Sequence, residues 1–123
     1  MSNRPYKVIV NGNGKKVVRV TDPDYAIFSQ YGIPKGYECD GASIPSYLCW
    51  LCGKPTEYPR VIAAIIHDYL YEMHGYFHEG MKHTVSRKRA DLTYRSILIS
   101  LEFPEWRADI EYGFIRVFGG SHW

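Results

Sequence analysis

His67 and Asp68 stand side by side behind the apolar run 63–66, in the string Ala63-Ala64-Ile65-Ile66-His67-Asp68-Tyr69-Leu70-Tyr71. Burial in such a run favours a neutral imidazole. Asp68 leaves the helix about 100° further round, so the two side chains serve different partners. Tyr71 follows His67 by four residues and Asp68 by three, on their shared face. Two further acids stand where the pattern does not ask for them: Asp40 in Asp40-Gly41-Ala42-Ser43, and Asp91 early in a later helix. Each has a plain structural reading. Asp40 suits an Asx turn, His67 a satisfied core histidine, and Asp91 a carboxylate favoured by the helix dipole. Together they read as a hydrolytic site. If the two long helices pack antiparallel at about 8–10 Å, Asp91 reaches one ring nitrogen of His67. The other nitrogen is then a general base. Asp68 can join Asp40 and loop carbonyls around a hard cation such as calcium.

The elements that must position these residues are legible from pattern. Residues 6–10 and 16–20 are β-rich runs flanking Asn11-Gly12-Asn13-Gly14, a hairpin signal. Asp22-Pro23-Asp24 is a turn, and residues 25–28 suit a short third strand. Residues 33–45 read as loop, punctuated by Pro34, Gly36, Gly41 and Pro45. Pro59 suits a first helical turn, with the helix continuing through residues 61–73. Residues 75–84 read as loop. Ser86 caps a second helix whose apolar positions are Ala90, Leu92, Tyr94, Ile97, Leu98 and Leu101. Pro104 opens a third helix to about Phe118, closed by Gly119-Gly120. The expected fold is α+β: an N-terminal hairpin or small antiparallel sheet, then a core of three main helices.

The chain has 123 residues, the size of one domain, expected to span 1–123. With 46% hydrophobic and 23% charged residues it reads as globular. Fifteen basic against 13 acidic residues give +2, too little for a nucleic-acid footprint. The densest basic run, Arg87-Lys88-Arg89, reads as a solvated helix start. Cys39, Cys49 and Cys52 do not form a secreted disulfide framework. Cys49 and Cys52 suit semi-buried thiols, or less well a zinc site with Cys39. Neither a signal peptide nor a run of about 20 apolar residues is visible. The 15% aromatic share is high; Trp106, Phe114 and Phe118 are expected in the core, while Tyr47, Leu48, Trp50 and Leu51 border the proposed cleft. His74, His78, His83 and His122 are expected at the surface.

H-D-x-x-Y on one helix, with an Asp on the following antiparallel helix, resembles the phospholipase A2 motif pair: His67-Asp68-Tyr69-Leu70-Tyr71, then Asp91. Asp40-Gly41-Ala42-Ser43 with Pro45 resembles the calcium loop of the prokaryotic branch. Ala42 and Ala64 stand where that branch keeps a loop-to-helix disulfide. The resemblance covers roughly residues 36 to 98. It implies that His67 activates water and that Asp91 orients His67. Tyr71 or Tyr94 would brace Asp91. Asp68, Asp40 and the Gly41 carbonyl would bind calcium, which stabilises the oxyanion of a lipid ester. The N-terminal hairpin and the long loop between the D-G and H-D motifs depart from that family.

A second resemblance covers nearly the whole chain. The string from Ile33 to Pro45, the His67-to-Tyr71 motif, Ala90-Asp91 within the stretch from Arg87 to Tyr94, and Trp106-Arg107 are similar to a family of small bacteriophage and prophage proteins of unknown function. It implies a phage-encoded protein from a tail or lysis region, in the host cytoplasm before assembly. Three functions follow as expectations. The first is a phospholipase A2-like esterase acting on membrane phospholipid with bound calcium. The second is a virion component of tail, neck or baseplate, or an assembly component, that meets other virion proteins; there the same residues form a structural polar network. The third and weakest is a zinc-dependent cell-wall hydrolase.

Overall fold

The computed structural model describes residues 4–10, 12–14, 16–39 and 58–123. The fold is α+β: an antiparallel sheet at the N-terminal side, then a helical core. Strands β1 (Tyr6–Val10) and β2 (Lys16–Val20) pair antiparallel with Tyr6 opposite Val20 and Val10 opposite Lys16. The central strand β2 supplies buried Val17, Val18 and Val20, whereas Val8 and Val10 of the edge strand face solvent. The third strand is not residues 25–28. Ala26–Gln30 form a short helix, α1, that buries Phe28. A single apolar ring docking into the core outweighs the weak β signal of that run. The third place in the sheet goes instead to β3 (Glu38–Cys39), inside the expected loop, with Cys39 opposite Val18 and Glu38 opposite Arg19.

Helix α2 (Tyr58–Met73) carries an unbroken buried stretch from Arg60 to His67, then Tyr69, Leu70 and Tyr71. A helix buried nearly all round is the centre of its fold. Residues 75–84, expected as loop, form a second hairpin, β4 (Gly75–His78) and β5 (Met81–Thr84). It turns through Glu79 and Gly80, both at positive φ. Ser86 caps α3 (Arg87–Ser100) by accepting from the Arg89 backbone N–H at 3.1 Å. Pro104 sits at the N-cap of α4 (Glu105–Phe118), and a 3-10 turn, Gly119–His122, follows.

Contacts between α2 and α3 run in opposite chain directions. Tyr71 meets Asp91, and Arg87 meets Tyr71, while His67 meets both Asp91 and Tyr94. The pair is therefore antiparallel, and α4 packs along α3. The helical core omits two rings expected inside it: Trp106 is 56% exposed and Phe118 60%. Ala108, Glu111 and Ile115 take the inward face of α4 instead, at the i, i+3, i+7 spacing of one helical stripe. Phe114 is half-buried. Among the described residues, no helix is long and apolar enough to cross a membrane.

Candidate functional site

Asp91 is the first acid of α3, five residues into the helix, and fully buried. An isolated carboxylate there would be costly. Three donors arriving from two other segments offset that cost. His67 Nε2 lies 2.7 Å from Asp91 Oδ1, and the Tyr71 hydroxyl donates to the same oxygen at 2.5 Å. Arg116 Nη1, from the last turn of α4, donates to Oδ2 at 2.7 Å. Burial on its own pushes the Asp91 carboxyl up. The hydrogen bonds from His67, Tyr71 and Arg116 outweigh it and hold the group below the usual carboxylate range. Asp91 is therefore an ionised acceptor at neutral pH.

That charge assigns the histidine's atoms. A carboxylate only accepts, so Nε2 of His67 donates, and in the neutral ring Nδ1 keeps the lone pair. Nδ1 lies 4.0 Å from Asp68 Oδ1. His67 is 3% exposed, Asp68's side chain 23%. The imidazole is held between two tyrosine rings, Tyr71 at 4.2 Å and Tyr94 edge-on at 5.4 Å between centroids. Tyr71 is pushed up to about 12 by burial and by the Asp91 acceptor, against the pull of Arg87.

The two candidate bracing tyrosines divide their work. Tyr71 reaches Asp91. Tyr94 does not: its hydroxyl donates to Glu111 Oε1 at 2.7 Å, and only its ring touches His67. A second carboxylate on the inward face of α4 has captured the phenol. Glu111 also pairs with Arg60 at 3.2 Å, and both side chains are fully buried. Burial raises the Glu111 carboxyl, opposed by Tyr94 and Arg60.

Arg87 is another residue whose place the sequence did not announce. It is not simply part of a solvated helix start. Its Nε donates to the Tyr71 hydroxyl at 3.2 Å, and its Nη2 donates to the carbonyls of Ile115 and Arg116 at 3.0 and 2.7 Å. The first residue of α3 thus satisfies the open carbonyl end of α4. Lys88 and Arg89 do face solvent. Trp123 closes the same side, edge-on to Tyr71 at 5.1 Å and stacked on His74 at 3.9 Å. Arg116 and Glu111 each had a signal in the sequence: Glu111 falls between Ala108 and Ile115 on an apolar stripe, and Arg116 sits four residues before Gly120 in a last helical turn.

Asp40 and Gly41, the loop half of the expected cation site, lie outside the described residues. So do Ala42, Ser43, Cys49, Cys52, and Tyr47, Leu48, Trp50 and Leu51, the residues expected to border the cleft. Among the described residues, no group of three or more His, Cys, Asp or Glu side chains is placed to hold a metal ion. Asp68, the described member of the expected set, offers a hard, partly exposed carboxylate, which is the donor chemistry calcium uses.

Residues 17–115 match the model of the family described as Protein of unknown function (DUF1353). No curated protein and no solved structure shows a match to the chain.

Proposed function

The chain belongs to the DUF1353 family, and we propose that it is a phospholipase A2-like hydrolase of lipid esters, encoded by a bacteriophage or prophage. The observation that carries this reading is the 2.7 Å contact between His67 Nε2 and Asp91 Oδ1, with Asp91 ionised and Nδ1 left as the basic nitrogen. The phage setting rests on the motif strings alone.

In this reading Nδ1 takes a proton from water as the water oxygen attacks the ester carbonyl. The imidazolium that forms is stabilised by the Asp91 carboxylate through the Nε2 hydrogen bond. The proton then passes to the leaving alcohol oxygen as the acyl C–O bond breaks. Tyr71 and Tyr94 keep the ring from rotating. Asp68, with Asp40 and the Gly41 carbonyl, would hold calcium, which when bound supplies positive charge for the oxyanion.

A second reading is supported by the way Asp91 ties α2, α3 and α4 together from a position without solvent access. That is also what a structural polar core in a virion or assembly component would require. Vesicles of phosphatidylglycerol with millimolar calcium separate the two. Wild-type protein is expected to release fatty acid, and His67→Gln to abolish release while remaining folded. Zinc in place of calcium is expected not to support release. If wild-type protein releases none while His67→Gln loses about 1–3 kcal/mol of stability, the structural reading stands and the enzymatic one falls.

A further inference from the structure

Asp91 has two carboxylate oxygens, and the family motifs account for the partners of only one. Oδ1 receives His67 and Tyr71, both from α2. Oδ2 receives Arg116, from α4. A carboxylate bonded through one oxygen can still rotate about its Cβ–Cγ bond. One bonded through both, from opposite sides, cannot. The third donor also differs in kind, because it carries a permanent charge. The backbone of Arg116 is itself held, since Arg87 binds the carbonyls of Ile115 and Arg116 while touching the Tyr71 hydroxyl. The two arginines thus form a closed circuit: Arg87 fixes the end of α4, and that end presents Arg116 to Asp91. Around the circuit stand His67, Asp68 and Tyr71 on α2, Arg87, Asp91 and Tyr94 on α3, and Arg116 on α4.

We infer that Arg116 is a positioning residue of this site, acting through Asp91 to set the orientation of His67, with Arg87 as its anchor. The inference rests on the hydrolase reading for its consequence in turnover, but the orientation itself is a property of the folded protein. Arg116 meets no reacting atom. Its side chain is 32% exposed, so a small cation can reach the place its guanidinium occupies.

The test uses Arg116→Ala and Arg116→Lys, with near-UV circular dichroism as the check on folding. The first readout is the downfield proton NMR signal of the His67 Nε2–H at one fixed pH, which needs no substrate. Arg116→Ala is expected to shift that signal upfield or broaden it, and millimolar guanidinium to restore it. Arg116→Lys, which keeps charge but not the planar fork, is expected to fall between. The second readout is lipid-ester turnover, where kcat is expected to fall by about 100-fold with little change in KM, again recovered by guanidinium. If the His67 signal is unmoved in folded Arg116→Ala, the inference is overturned. If the signal moves and is rescued while wild-type protein hydrolyses nothing, the positioning role stands and the hydrolase reading falls. Should Arg116→Ala lose its fold, the Lys variant decides on the same signal.

Discussion

At the scale of single residues, Asp91 concentrates the most consequence in one group. Its carboxyl is held below its ordinary value of 3.8 in the folded protein. The unfolded chain therefore binds that proton more readily than the folded one. The stabilisation is fully present above pH 3.8 and is lost as pH falls through the lower folded value. Asp91→Asn is expected to cost about 3–5 kcal/mol at neutral pH, as for breaking a buried ionic partner. It is also expected to flatten the acid limb of the stability curve. Urea unfolding of both proteins at neutral pH and near pH 3 checks this; equal acid losses in the two would refute it. His67, Asp91 and Tyr71 were legible in the sequence because each broke a pattern: a histidine and a carboxylate in apolar helices, and a tyrosine at the right turn. Tyr94 was legible as a neighbour but not as a partner of Glu111. A tyrosine spacing gives the direction of a ring, whereas the end of the phenol is decided by which acceptor the third helix brings.

At the scale of elements, the helices were more readable than the joints between them. Ser86 and Pro104 mark their helices by side-chain capping and by a fixed φ, both local effects. Helix α1 and the β4–β5 hairpin were not readable, because both depend on contacts across the chain. One contact shows how. Gly32, two residues past the end of α1, has φ +64, and a Cβ there would lie 2.5 Å from the backbone carbonyl oxygen of Phe77 in β4. The hairpin can press against the end of α1 only because residue 32 has no side chain. Gly32→Ala is expected to destabilise by about 2 kcal/mol, combining left-handed strain with displacement of β4. Thermal unfolding monitored by circular dichroism measures it. Gly36→Ala, with positive φ but open space around it, is expected to lose less. Equal losses at the two positions would show that φ alone carries the effect.

At the scale of the whole molecule, two buried polar centres among the described residues hold the core together with apolar packing. The first is the Asp91 site. The second is Arg60–Glu111–Tyr94, which joins α2, α4 and α3 with all three side chains out of water. Arg60 did not stand out in the sequence, since a charged residue on an amphipathic helix normally faces solvent, and Glu111 showed only in its place on the Ala108–Ile115 stripe. Arg60→Met is expected to destabilise by about 3–5 kcal/mol, because Glu111 stays buried without its cation. Arg60→Met with Glu111→Leu is expected to lose less than the single variant. A double-mutant cycle by urea denaturation measures the difference; a double variant worse than Arg60→Met would show that the pair contributes net stability over apolar packing. The exposed Trp106 and Phe118 belong to the same balance. Helix α4 spends its inward face on Glu111 and turns two of its largest rings outward.

Both polar centres draw one member from α4, which is synthesised after the other two long helices. While a chain is being made, Asp91 and Arg60 are already in place on their helices when neither Arg116 nor Glu111 yet exists. Without α4, Asp91 would keep its donors from α2 but lose Arg116, and Arg60 would lose Glu111. The docking of α4 is thus what completes the pairing of both buried charges at once.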